Sequence, residues 1–180
     1  MTTLTTETYA IDPAHSGVEF SVRHLMISKV RGRFSGVSGT VEVPAGASVP
    51  ASVGAEIDVA SVDTREAQRD AHLKSADFFH AEEFPTMRFT STKIESKGGD
   101  RLEIAGNLEI RGTTHPVTLD GAFEGRAKDP WGNDRIAFSG STRINRKDFG
   151  LGWNQALETG GVVVGETVDI TLEIEAVAKK

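Results

Sequence analysis

Hydrophobic and polar residues alternate along much of this chain. In residues 101–110, Leu102 and Ile104 share one parity, whereas Glu103 and Glu109 fall on the other. The same period of two returns in three further segments, residues 117–123, 136–144 and 168–174. This period predicts β-strands that have one apolar face and one wet face. A series of such strands must close on itself or stack in order to hide its apolar faces.

The same pattern predicts the remaining elements. Earlier strands are expected at residues 9–11, 17–24, 30–43 (as one strand or two), 52–62 and from 87 onward. The pattern breaks after Asp63, which is predicted to cap a helix, and Glu66 three residues later completes an arrangement typical of a helix start. Most links between strands are short, which favours an antiparallel meander.

These elements predict an all-β fold, an eight-stranded antiparallel lipocalin-like barrel with a helical insertion at about 64–76. The 19 glycines favour a curved sheet over a flat one, because glycine within strands marks bends and bulges. We expect a flexible N-terminus at residues 1–8 and a single domain at residues 9–180. A barrel of about eight strands can hold one small ligand in its lumen.

The composition excludes several classes of function. The chain has 20 basic and 26 acidic residues, a net charge of −6, and no stretch with the dense clusters of Lys and Arg that bind nucleic-acid phosphates. This balance argues against nucleic-acid binding and disfavours docking on anionic lipid headgroups. Cysteine is absent, which excludes disulfides, thiolate nucleophiles and sulfur-based zinc sites. Residues 1–8 do not resemble a secretory signal, so we expect a soluble, cytoplasmic protein.

The polar residues of the helical insertion are the main candidates for chemistry. Arg69 and His72 are three residues apart, hence neighbours on a helix surface, and Asp70 lies between them. An Asp and a His together allow acid/base catalysis, but no Gly-x-Ser-x-Gly nucleophile motif is present. A solvated helix face, or an Asp70 that ties the helix to a strand, is the favoured explanation of these residues. The five histidines show no metal-binding spacing, so no metal or cofactor is expected.

Aromatic residues concentrate next to the predicted helix and in a later loop. Phe78 and Phe79, together with Leu73, would seal one end of a barrel as a plug, or cover a ligand tunnel as a lid. Trp153, in the glycine-rich stretch at 148–154, would pack on a ligand or on the core. Trp131 lies in a turn and is a candidate surface for a protein partner.

Several motifs together resemble the YceI-like family. The match extends over roughly Tyr9 to Ala176, with the helical stretch as its most specific part. The motifs are Tyr9-x-Ile11-Asp12-x-x-His15-Ser16-x-Val18-x-Phe20-x-Val22-x-His24, Val30-x-Gly32-x-Phe34, Ser61-Val62-Asp63-Thr64, Arg69-Asp70-x-His72-Leu73-x-Ser75-x-Asp77-Phe78-Phe79, Phe84-Pro85-x-Met87-x-Phe89-x-Ser91, Gly106-x-Leu108-x-Ile110-x-Gly112-x-Thr114 and Gly165-x-x-Val168-x-Ile170-x-Leu172.

The resemblance implies a lipocalin-like barrel with an elongated lumen. Members of this family bind polyisoprenoid lipids, including isoprenoid quinones and prenyl phosphates. Many members carry a secretion signal, which this sequence does not show. The family has no agreed catalytic residues, so the resemblance implies none here.

A hydrocarbon ligand would need a long apolar tunnel and few directional contacts, since each buried methylene contributes about 0.8 kcal/mol. Polar groups near His24, Arg69 or His72 would then meet the head of the ligand. Side-chain parity alone does not show whether the lumen keeps a void. The residues expected along the tunnel are Phe20, Val22, Phe34, Met87, Phe89, Leu108, Phe123, Phe138, Ile170 and Leu172, with Leu73, Phe78 and Phe79 at one end.

The leading hypothesis is therefore a non-enzymatic carrier or store for an isoprenoid lipid, such as a quinone or a prenyl chain. Peripheral contact with a membrane would load it, and an exposed strand edge would allow a homodimer. One alternative is an enzyme that acts on a lipid-like substrate, with Asp70 and His72 as acid/base partners. Another is a packed β-domain that meets a protein partner through its outer face, around Trp131.

Overall fold

A computed structural model of the protein describes residues 3–157 and 161–180. In this part of the chain the backbone forms one antiparallel sheet and one α-helix, α1, at Ala67–Lys74. Short 3-10 turns lie at Pro13–His15, Val59–Ser61 and Arg146–Phe149. The strands are β1 Thr6–Ile11, β2 Gly17–His24, β3 Ser28–Phe34, β4 Val37–Pro44, β5 Ser52–Asp58, β6 Val62–Asp63, β7 Thr86–Ser96, β8 Arg101–Ile110, β9 Thr113–Lys128, β10 Asp134–Asn145 and β11 Val164–Ala178.

The sheet closes into a barrel because the last strand, β11, pairs with both β1 and β2, which follow one another along the same edge. Strand β11 pairs with β1 near Ile11 and with β2 near Phe20. Strands β3 and β4 likewise continue one another along β2 and β1, and β5 and β6 continue along β4 and β3. These three bent strands and the five strands β7 to β11 make a closed, eight-stranded antiparallel barrel. The predicted fold class is confirmed.

The helical insertion covers a gap in the barrel wall. Strand β6 pairs only with Arg33 and Phe34, so among the described residues the first part of β3 pairs with β2 alone. The segment that carries α1 lies between β6 and β7 in the chain, and Phe79 from this segment packs edge-on against Phe34 at 5.6 Å. The helix is thus part of the wall of the lumen.

The two ends of the barrel differ in packing. At the end formed by β1, β4 and the C-terminal part of β11, the side chains of Tyr9, Val41, Val43, Ile136 and Ala176 are at most 1% exposed. Toward the α1 end, inward-facing residues of β2 and β11 are only half-buried, although they keep the inward parity. One end is therefore closed by tight packing, and the other is loosely filled.

Two predicted boundaries are wrong. Strand β1 begins at Thr6, because residues 6–8 pair with β4 and extend the sheet into the region expected to be flexible. The helix is shorter than predicted, and Glu66 caps it, not Asp63. The Glu66 carboxylate accepts hydrogen bonds from the backbone N–H groups of Gln68 and Arg69, which have no partner within the helix.

Candidate functional site

The barrel encloses a cavity of about 350 Å³ with an almost wholly apolar wall. This volume lies within the range of small-molecule sites, about 300–1,000 Å³. The in-phase side chains therefore leave a void between them. The expected residues that line it are Phe20, Val22, His24, Phe34, Arg69, His72, Leu73, Phe78, Phe79, Met87, Phe89, Leu108, Phe138, Ile170 and Leu172.

Phe123 is the one expected residue that does not line the cavity. Its ring packs against Phe138 with the ring centroids 5.5 Å apart, and Phe138 itself lines the cavity. Phe123 pairs with Phe138 at a shift in register between β9 and β10. Phe123 keeps the inward parity of Val117 and Leu119, which line the cavity. It lies farther along β9, past the level of Leu102, where inward side chains pack the closed end of the barrel.

An aromatic cluster lies at the α1 end of the cavity. The His72 ring packs edge-on against Phe78 at 5.0 Å and against Trp153 at 4.7 Å, and Phe78 and Trp153 are 5.4 Å apart. His72 Nε2 also lies 2.8 Å from Asp77 Oδ2. Trp153 lines the cavity, so the loop after β10 and the helical insertion meet over the lumen.

Asp70 ties α1 to the barrel. Its Oδ1 atom accepts a hydrogen bond from the backbone N–H of Thr64 at 2.8 Å and another from the Thr64 hydroxyl. Arg69 Nε donates to the same Thr64 hydroxyl at 2.8 Å, and Thr64 is only 4% exposed. The structure does not pair Asp70 with His72, which bonds to Asp77. The acid/base pair considered from sequence is therefore not formed.

Arg146 is a buried cation that none of the sequence motifs includes. It lines the cavity, is 3% exposed, and donates to the backbone carbonyls of Leu151, Trp153, Val164 and Gly165. Burial lowers the pKa of its guanidinium. Arg146 shares the inward parity of Thr142 and Ile144, and this parity would have indicated its position.

The cavity reaches the protein surface at the turn between β2 and β3. Arg23 is exposed and yet contributes to the cavity wall, next to the half-buried His24. Together with Arg69 and His72, these residues place polar groups at one end of an otherwise apolar space. An amphipathic molecule could lie here with its tail inward and its head near the surface.

Other kinds of site find no support in the described residues. No group of three or more His, Asp or Glu side chains is arranged to hold a metal ion in residues 3–157 and 161–180. Over the same ranges, no helix has the length and apolar character needed to cross a bilayer. Trp131, the candidate for partner contact, is 79% exposed and lies in the turn between β9 and β10.

Comparison with known proteins places the chain in a family. It is 37% identical over 175 residues to a UPF0312 protein of Vibrio cholerae, a match that covers 95% of this chain and 87% of the relative. A YceI protein of Campylobacter jejuni has a TM-score of 0.75 at 31% identity, covering 88% of this chain and 90% of that one.

A solved polyisoprenoid binding domain from Saccharophagus degradans has the same fold, with a TM-score of 0.69 and 15% identity over 95% of this chain and 98% of that one. The YceI-like domain family matches residues 9–176. The resemblance inferred from the motifs is confirmed over nearly the whole chain. The protein belongs to the YceI-like family.

Proposed function

We propose that this protein binds an isoprenoid lipid, with the hydrocarbon tail in the barrel cavity and the head near the β2–β3 turn. The observation that carries the proposal is an apolar cavity inside a closed barrel that reaches the surface at one end. Such a space shields hydrocarbon from water, and each buried methylene contributes about 0.8 kcal/mol. A carrier or store needs no reactive group in that space.

The polar groups at the open end suit a polar or anionic head. Arg69 keeps its Nε and Nη2 atoms on Thr64, which holds the guanidinium at the cavity wall. His24 is half-buried and lies at the end of β2, where its ring borders the cavity. A quinone oxygen or a phosphate accepts hydrogen bonds, and these two side chains can supply donors.

The comparisons support the same class of ligand. The domain of Saccharophagus degradans that shares this fold is described as binding polyisoprenoids. At 15% identity that likeness shows the fold alone, so the ligand class is our proposal for this chain. The apolar cavity found here is what such a ligand requires.

Two other functions find less support in the structure. An enzyme that uses Asp70 and His72 together would need the two side chains to share a site, but each has a different partner. A packed domain that acts only through its outer face would not need an internal cavity of about 350 Å³. We therefore favour a binding function inside the barrel.

Direct titration tests the proposal. In a Trp131→Phe background Trp153 is the only tryptophan, since the chain has two, and its side chain borders the cavity. Geranylgeraniol, or a quinone with the same tail, should change the emission of Trp153 in a saturable way. A saturated straight-chain alcohol of equal carbon count shows whether the site prefers the branched chain. No change with either isoprenoid would contradict the proposal.

A matched pair of variants assigns the binding to the cavity. Val117 on β9 lines the cavity, whereas its neighbour Thr118 is exposed on the outer face. Val117→Phe should fill part of the void and weaken isoprenoid binding by at least about tenfold, because the tail loses buried area. Thr118→Phe adds a bulky side chain to the outer face of the same strand and should leave the affinity unchanged. Equal affinities of the two variants would show that the tail lies elsewhere.

A further inference from the structure

The turn between β2 and β3 exposes three consecutive apolar side chains. Leu25, Met26 and Ile27 are 38%, 50% and 82% exposed, respectively. Single apolar residues are common on protein surfaces, but a contiguous exposed group at a hairpin tip is typical of an interaction site. We call these three residues the apolar tip.

The backbone of the apolar tip is not the one that its residues prefer. Leu25 and Met26 have φ angles of 53° and 63°, and the N–H of Ile27 donates to the carbonyl of His24 at 3.2 Å. A β-turn whose two central residues both have positive φ favours Asn and Gly there, so Leu25 and Met26 are strained. Asn and Gly would stabilise this turn better than Leu and Met. The apolar side chains are therefore better explained by binding to another surface than by the stability of the fold.

Basic side chains flank the apolar tip on the outer face of the hairpin. Arg23 and Lys29 lie directly opposite each other across β2 and β3, and Arg31 and Arg33 follow along β3. Like charges in directly opposed positions destabilise a strand pair. Among the described residues, none of Arg23, Lys29 and Arg31 forms an ion pair, although the whole chain has a net charge of −6. Asp169 is already bonded to Arg143 at 2.6 Å, and this bond is the main cause that lowers the pKa of its carboxyl, with the charge of Lys29 as a minor cause.

The apolar tip lies at the open end of the cavity. The N–H of Leu25 donates to the carbonyl of Val163 at 2.8 Å, and Val163 lines the cavity. Arg23 and His24, which precede the apolar tip in the chain, also line the cavity. A surface that bound the tip would therefore lie against the opening.

We propose that the β2–β3 hairpin docks this protein on an anionic phospholipid bilayer. The apolar tip inserts among the headgroups, and Arg23, Lys29 and Arg31 bind the lipid phosphates. Apolar insertion and electrostatic attraction of this kind act together at membrane interfaces. If the proposed function holds, the docked opening lets an isoprenoid tail move between bilayer and cavity without crossing water.

Charge favours a bilayer over a second copy of the chain. A symmetric dimer through the apolar tip would bring two identical basic flanks together, since a twofold interface uses the same patch on both subunits. Those charges would repel each other, whereas an anionic membrane complements them. The bilayer thus satisfies both the apolar and the basic parts of the hairpin.

Vesicle sedimentation tests the docking without any isoprenoid. We expect the protein to sediment with phosphatidylcholine vesicles that contain about one quarter phosphatidylglycerol, and at least about tenfold less with phosphatidylcholine alone. The triple variant Leu25→Asn, Met26→Gly, Ile27→Thr should lose vesicle binding by at least about tenfold. Asn and Gly suit the turn, so this variant should fold at least as well as the parent.

A charge variant and a matched control complete the test. Replacing Arg23, Lys29 and Arg31 by Gln should weaken binding to the anionic vesicles by at least about tenfold. Trp131→Ala removes an exposed aromatic from the opposite end of the barrel and should leave binding unchanged. Equal binding by all variants would overturn the proposal. A dimer that the tip variant abolishes, without vesicle binding by the parent, would assign the tip to a second copy and overturn it too.

Docking and the proposed function can fail separately. Vesicle binding without any response of Trp153 to isoprenoids would leave the docking in place and remove the proposed ligand. An isoprenoid response without vesicle binding would do the reverse. The two measurements use different probes, so each has its own outcome.

Discussion

The ring of Phe20 lies over Gly32 of the neighbouring strand and occupies the space that a Cβ atom would need. A Cβ atom at position 32 would lie 2.8 Å from Phe20 Cε1 and 2.8 Å from Thr64 Cγ2. Gly32 therefore leaves room for the Phe20 ring in the cavity wall and allows Thr64 to approach β3. This contact joins the barrel wall to the segment that carries α1.

We expect Gly32→Ala to destabilise the protein by about 1–3 kcal/mol, as overpacking typically does, and to push Phe20 into the cavity. Thermal unfolding measures the first effect, and isoprenoid titration measures the second. Gly54→Ala is the matched control, because a Cβ atom there meets nothing within 4 Å. Equal stabilities of the two variants would show that Phe20 moves aside at no cost.

Arg146 should be essential to the loop between β10 and β11. Arg146→Met leaves several carbonyls without their donor, and we expect a loss of at least about 3 kcal/mol in the free energy of unfolding. Lys147→Gln is the control, since Lys147 is half-exposed and its ion pair with Glu166 at 2.7 Å contributes little. Denaturant unfolding compares the two variants. A stable Arg146→Met protein with unchanged Trp153 emission would contradict this role.

The stability of the barrel should fall in acid partly through Asp12. The carboxylate accepts a hydrogen bond from Arg135 Nη1 at 2.8 Å and one from His15 at 2.9 Å, and the first of these is the main cause that lowers its pKa to about 2. Because the folded pKa lies below the ordinary value of 3.8, the stabilisation is complete above pH 3.8 and is lost as the pH falls toward about 2.

Asp12→Asn should therefore cost roughly 2 kcal/mol at neutral pH and approach no cost near the folded pKa. Unfolding measured across acidic pH gives this difference directly. Asp169→Asn is the comparison, because its partner Arg143 is 71% exposed and water screens the pair. A cost of Asp12→Asn that stays constant through acid would contradict the assignment.

Asp70 should act on the position of α1 and not on any turnover. Asp70→Asn weakens the bonds that hold Thr64, and we expect a loss of about 1–2 kcal/mol with faster hydrogen exchange in α1. Glu82→Gln, an exposed change in the same segment, should have no effect. Unchanged exchange in α1 would show that the helix is held by its apolar contacts alone.

Much of the fold follows from local sequence pattern. Alternation places Phe20 and Val22 on the inner face because successive strand residues point to opposite sides, and the structure confirms both in the cavity wall. The same rule gives Phe123 its inward direction but not its distance along β9, which places its ring at the packed end of the barrel and outside the cavity wall. The helix cap also differs from the prediction: Asp63 pairs with Arg33 in β6, so the helix begins later and Glu66 caps it.

The sequence by itself determined the strand periodicity, the family and the apolar character of the lumen, since these depend on residue type and spacing. The tertiary structure alone decided whether the lumen stays empty, because a void depends on how side chains from distant strands meet. It also decided where positive charge collects. The net charge of −6 does not indicate the basic surface beside Leu25, because that surface forms only when β2 and β3 pair and bring Arg23 opposite Lys29.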